Sequence, residues 1–120
     1  MKKSKLINSF KYAIEGLFYS IKNERNLFIH FIIMILVISF GLIFKIKLYE
    51  WFICIILFIL VISLELINTS LELTLDVICE EKRKKIKDAK DVAAASVLIS
   101  AIGAGIIGLL IFIPKILNLI

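Results

Sequence analysis

Three acids and an amide share one face of a helical pattern. At ~100° of rotation per residue, Glu65, Asn68, Glu72 and Asp76 lie within an arc of about 80°, and Thr69 flanks them. The run just before them, Phe52 to Leu64, is uncharged and apolar. Acids facing lipid at mid-bilayer would cost roughly 2.5 to 3.5 kcal/mol each on insertion scales, so the stripe should face a protein cleft. Three chemistries suit such a stripe. It could be a hydrogen-bonded seam between helices, with its acids paired to a nearby basic loop. It could be a proton or cation path, since isolated acids in spans often mark transport routes. Or it could be a metal-nucleotide site, because Mg²⁺ takes one or two carboxylates together with phosphate oxygens and water.

The surroundings bear on the choice. The stripe descends toward Lys90 and Asp91, at the head of a later apolar run, and toward Asn23, Glu24 and Asn26, at the foot of an earlier one. Acids, amides and a lysine at one membrane level are what phosphoryl transfer from a soluble nucleotide to a membrane alcohol requires. The sequence has no G-x-x-x-x-G-K-[ST] loop, no glycine-rich kinase loop and no paired metal histidines. A nucleotide site would therefore be built from these helices alone.

The elements that must position these groups follow from hydropathy. Of 120 residues 61% are apolar and the mean hydropathy is +1.01, well above a soluble domain. The pattern predicts one all-α membrane domain over residues 1–120: an interfacial amphipathic helix at about 5–22 and spans at about 27–46, 51–79 and 89–113. In the first segment Leu6, Phe10, Ala13, Ile14, Leu17, Phe18 and Ile21 recur at helical spacing opposite Lys11, Glu15 and Lys22, as in a helix lying in the membrane surface. Lys45, Lys47, Tyr49, Glu50 and Trp51 make a short polar turn at the level of an aromatic belt. No Gly or Pro stops the middle helix before about Ile78, so it should start in lipid and end wet. The third run is closed by Pro114 and Lys115.

Lys and Arg are distributed unevenly. Six lie before the first span (Lys2, Lys3, Lys5, Lys11, Lys22, Arg25) and six in the second connection (Lys82, Arg83, Lys84, Lys85, Lys87, Lys90), against Lys45, Lys47 and Lys115 elsewhere. The N-terminus and second loop are therefore expected on the cytoplasmic side. Polar residues continue to Asn26 without a small-residue cleavage pattern, so no leader is expected to be removed. The net charge of +5 reads as attraction to anionic lipid rather than to nucleic acid, since no aromatic-basic face accompanies it. Cys54 and Cys79 fall on one helix too far apart to pair, and imply neither a disulfide nor a metal. Ser96, Ser100, Ala104 and Gly108 form a row of small residues with Ala89, Ala93, Ala101 and Gly105 beside it, a pattern that lets helices approach closely. Three thin helices enclose little interior, which favours a homo-oligomer.

The segment Glu65-Leu66-Ile67-Asn68-Thr69-Ser70-Leu71-Glu72, then Asp76, then Ala89-Lys90-Asp91-Val92-Ala93-Ala94-Ala95, resembles the signature of the prokaryotic diacylglycerol kinase family. Asn23-Glu24-Arg25-Asn26 followed by His30 is similar to the first-helix motif of its undecaprenol kinase branch. The likeness covers nearly the whole chain; Ser70 and Ser96 depart mildly from the small apolar residues usual there. It implies a homotrimeric helical bundle in a bacterial plasma membrane, with active sites shared between protomers, using ATP and Mg²⁺. By match of motif, Glu65 would be the base toward the lipid hydroxyl and Asn68 would support the transferred group. Glu24 and Glu72 would hold the metal, Lys90 would neutralise phosphate charge, and Asp76 and Asp91 would help hold the nucleotide. Tyr12, Glu81, Lys82 and Arg83 match weaker nucleotide contacts. These roles agree with the physics, since phosphoryl transfer needs mainly positioning and charge stabilisation, and a partly desolvated carboxylate at the lipid boundary suits a base.

The expected reaction is transfer of the ATP γ-phosphoryl group to undecaprenol, giving undecaprenyl phosphate, a carrier of cell-wall precursors. Diacylglycerol, which would give phosphatidic acid, is the alternative acceptor. From other classes, a small proton-coupled transporter and a purely structural membrane subunit would also explain acids in a span.

Overall fold

The computed structural model describes residues 2–78 and 83–120 as four helices. They are α1 (Lys2–Asn23), α2 (Arg25–Phe44), α3 (Leu48–Ile78) and α4 (Lys84–Leu117). The last three are long and apolar enough to cross a membrane, and they make the molecule a slab of 55 × 44 × 21 Å. A body so thin buries few side chains. Leu27, Ile46, Cys54, Val61, Ala93, Val97 and Ile111 are the buried apolar residues, while long rows of Ile, Leu and Phe on α2, α3 and α4 stay uncovered. Such faces require lipid or another protein surface as solvent.

The helix ends have local causes. Glu24 alone separates α1 from α2: its backbone is extended (φ −111°, ψ 110°), and its side chain makes no capping hydrogen bond. At the far end of α2, Lys45 adopts the left-handed conformation (φ 51°), and the N–H groups of Lys45 and Ile46 both donate to the Gly41 carbonyl. Gly41 is needed here, because the Trp51 ring lies where a β-carbon would stand, at 2.6 Å. α3 starts with half of a capping box: the Glu50 carboxylate reaches back to accept the Lys47 N–H at 2.9 Å. With no Gly or Pro inside it, α3 then runs unbroken to Ile78, from its apolar half into its acidic half.

α3 packs chiefly against α4 and less extensively against α2, while α1 folds back on α2 and reaches α3. Ion pairs latch the antiparallel α3 and α4 at both ends. Asp76 near the end of α3 contacts Lys90 near the start of α4, and Lys115 near the end of α4 donates to Glu50 at the start of α3, at 2.7 Å.

α4 runs through Pro114, where the uncharged run closes, and continues to Leu117. Proline removes one donor and crowds one carbonyl, and the turn is held by Lys115 Nζ donating to the Ile111 carbonyl (3.1 Å) and by the Asn118 N–H donating to the Pro114 carbonyl (3.1 Å). Within the protomer the small residues of α4 do not form one close-packed row. Ala93 and Ser100 are buried, but a β-carbon added to Gly103, Gly105 or Gly108 would meet nothing within 4 Å. Cys54 is a buried free thiol; Cys79 lies outside the described residues.

Candidate functional site

Glu65 is the centre of the acidic stripe. It is only 1% exposed, and its Oε2 has no hydrogen-bond partner. His30 on α2 stands near that oxygen, its Nε2 3.7 Å away, beyond hydrogen-bond reach. One turn further along α3, Asn68 is also buried; its amide donates a long 3.4 Å bond to the Glu72 Oε1, and its own Oδ1 is unpartnered. Thr69 is buried with its hydroxyl turned back on the Glu65 carbonyl, 3.0 Å, so it serves the helix rather than the cleft.

Glu24 and Glu72 are the acids whose charges act on Glu65. Both are half-buried. The extended backbone at Glu24 turns the chain between α1 and α2, and Leu27 in the first turn of α2 is fully buried (0% exposed). Beyond Glu72 the stripe reaches Asp76, which is exposed and in contact with the half-buried Lys90.

The sequence-derived site therefore divides. Glu24, Glu65, Asn68 and Glu72 form one cluster, and Asp76 with Lys90 forms a second group at the end of α3. Asp91 is exposed and paired to Lys87 at 2.7 Å. Tyr12 is 64% exposed on α1, and Arg83 stands exposed at the N-cap of α4. Glu81 and Lys82 lie outside the described residues.

The unpartnered oxygens of Glu65 and Asn68 on α3, with the half-buried carboxylates of Glu24 and Glu72, are donors of the kind that a hard cation such as Mg²⁺ takes. Among the described residues no three His, Cys, Asp or Glu side chains cluster tightly enough to hold a metal by themselves. Glu24 and Glu72 would thus supply a minority of the ligands, consistent with an ion that also takes phosphate oxygens and water.

Residue spacing did not foretell two features. His30, which enters the sequence reading only through the first-helix motif and reads on its own mainly as a packing donor inside a span, stands near the orphaned Glu65 oxygen. Below it, a partly open cavity of about 410 Å³ runs between α2, α3 and α4, lined by apolar side chains and by Ala101, Ala104, Gly105 and Gly108.

Fold and site together define a small protein with three apolar helices long enough to cross a membrane, holding a buried carboxylate on which the charges of two further acids act. The prokaryotic diacylglycerol kinase model matches residues 11–112, and the chain belongs to that family. It is 37% identical to an undecaprenol kinase of Bacillus subtilis (strain 168), over 93% of this chain and 91% of the relative. It is 34% identical to a diacylglycerol kinase of Synechocystis sp. (strain ATCC 27184 / PCC 6803 / Kazusa), over 95% of this chain and 66% of that relative.

Proposed function

We propose that this protein is an ATP-dependent lipid kinase that phosphorylates undecaprenol at the cytoplasmic membrane face. The observation that carries this reading is the buried Glu65 carboxylate, one oxygen unpartnered and 3.7 Å from His30, which itself lines an apolar cavity. A group held in that state is suited to take a proton from an alcohol that arrives through lipid. The hydroxyl oxygen then attacks the γ-phosphorus, the bond to the β–γ bridging oxygen breaks, and ADP leaves with that electron pair.

The remaining residues follow from position. Glu24 and Glu72 would hold Mg²⁺, which when bound offsets phosphate charge. Asn68, with its unpartnered oxygen, orients groups near the transferred phosphoryl. Lys90, paired with Asp76 at the acidic end of α3, can exchange that acid for a phosphate oxygen, while Asp91, Tyr12 and Arg83 are assigned to the nucleotide's periphery. The exposed row Leu6, Phe10, Ile14 and Phe18 supports an interfacial placement of α1, and the lysine bias supports a cytoplasmic N-terminus. A homotrimer with shared sites is in keeping with a 21 Å slab that leaves its apolar faces open.

Diacylglycerol is the second reading, favoured by the similarity to the Synechocystis enzyme. It also offers a primary hydroxyl at the interface. Purified protein given radiolabelled ATP and each lipid in turn separates them: label should enter undecaprenol, and a preference for diacylglycerol would reverse the assignment. Glu65→Gln should remove transfer to either lipid.

A further inference from the structure

Each turnover of the proposed reaction leaves on Glu65 the proton taken from the alcohol, and the next turnover needs that acid ionised again. A carboxyl group that is 1% exposed does not exchange freely with bulk water. Its neighbours on α3 are poor acceptors: Asn68 carries a neutral amide, and the Thr69 hydroxyl is committed to the Glu65 carbonyl at 3.0 Å. Glu24, in the bend between α1 and α2, and Glu72 on α3 are the acids whose charges act on Glu65, but in holding Mg²⁺ they must stay deprotonated. α4 offers no base, since Val92 to Pro114 has no titratable side chain. That leaves His30. It is the single histidine of the chain, and its Nε2 stands 3.7 Å from Glu65 Oε2, the oxygen without a partner. The His30 side chain is 19% exposed against 2% for that of Glu65, so the ring links the buried acid to the outside. His30 lies five residues from Arg25 at the start of α2, ~7.5 Å along the helix at ~1.5 Å per residue. Asn26, one turn nearer that end on the same face, is exposed, and a water between amide and ring would complete the way out.

We propose that His30 takes the proton from Glu65 after each phosphoryl transfer and hands it to water at the start of α2. The inference rests on the kinase reading and deepens it by naming how the base is reset. The lone pair of the neutral ring's Nε2 accepts the carboxyl proton, Glu65 returns to carboxylate, and the imidazolium then gives one proton to water and is neutral again. One proton moves at each step and no electrons are exchanged. At 3.7 Å the pair stands just outside hydrogen-bond reach, so the transfer needs a side-chain shift of ~1 Å or one bridging water. His30 acts through Glu65 and not on the phosphoryl group, so its removal slows the return of the base and leaves the attack on phosphorus intact.

The test uses the full chain in lipid nanodiscs containing undecaprenol. His30→Gln keeps a polar side chain but carries no exchangeable acid proton. With protein in excess over radiolabelled ATP, so that each site turns over at most once, this variant should phosphorylate lipid at the wild-type rate. With ATP in excess its kcat should fall about 10²-fold. In His30→Ala, added imidazole should raise the steady rate with the fraction of imidazole that is neutral, a response that a merely structural role would not give. A readout free of activity comes from the ring ¹⁵N signals of labelled protein, which report His30 alone. Their pH titration should move between the native chain and Glu65→Gln. Identical titrations, equal losses in the single-turnover and steady rates, or a steady rate unmoved in His30→Gln each overturn the proposal. Lipid phosphorylation by the native chain together with an unmoved steady rate removes the relay and spares the kinase reading. A native chain that phosphorylates no lipid defeats the kinase reading and the relay with it, even where the two titrations differ.

Discussion

Lys115 donates to the Glu50 carboxylate at 2.7 Å, joining the last turn of α4 to the first turn of α3 across 65 residues of chain. Glu50 is 5% exposed, so this is a buried charge whose partners are one lysine and the Lys47 N–H. Lys115→Met leaves it half satisfied and should lower stability by about 2–3 kcal/mol. Pairing that change with Glu50→Gln should recover a good part of the loss, as read from denaturant unfolding in micelles. Both residues are remote from the acidic cleft, so lipid phosphorylation measured below the transition should persist.

Glu65→Gln should separate stability from activity. The substitution removes a buried carboxylate oxygen that has no partner, so the thermal midpoint should hold or rise. Loss of a general base should at the same time lower kcat by about 10²–10⁴. A large loss of both would mean that the acid serves the fold.

Glu24→Gln and Glu72→Gln should each raise the Mg²⁺ concentration needed for half-maximal rate about ten-fold or more, at fixed ATP. Magnesium titrations of the two variants check this. An unchanged requirement in both would place the metal elsewhere.

Lys90→Ala should weaken kcat/KM for ATP by about 1.5–3 kcal/mol, the range of hydrogen bonds to charged groups. The Asp76 side chain is 61% exposed, so loss of its pair should alter stability by less than ~1 kcal/mol. Steady-state kinetics alongside thermal melts of Lys90→Ala and Asp76→Asn distinguish the two effects.

Gly41→Ala should destabilise by about 1–3 kcal/mol, because the new methyl would meet the rigid Trp51 ring at 2.6 Å. Trp51 is the single tryptophan, so its fluorescence reports the displaced ring directly.

The sequence carried α3 well. Nothing in it could stop the helix between Leu48 and Ile78, and the angular spacing of Glu65, Asn68 and Glu72 is a property of any helix they occupy. That Glu24 comes to the level of that stripe was legible from its place at the foot of the first apolar run, whereas its turn out of α1 depends on one extended residue. Glu50 could not be read as buried: in the sequence it belongs to a polar turn, and its partner lies at the other end of the chain. A lone acid in the first turn of one span and a lone lysine in the last turn of another was the available signal. The glycines of α4 read as contacts between helices because periodicity records residue size, whereas whether a neighbour fills the space is decided by how α2 splays from α4.

Glu65 lies ~21 Å along α3 from Trp51, short of the ~30 Å of a hydrocarbon layer. Were Trp51 to mark the opposite interface, the Glu65 carboxylate would lie beneath the headgroups, at a depth an alcohol can visit and a phosphate dianion cannot comfortably occupy. The same placement that admits the acceptor would eject the phosphorylated lipid toward water, so that turnover acquires a direction from the dielectric profile of the bilayer itself.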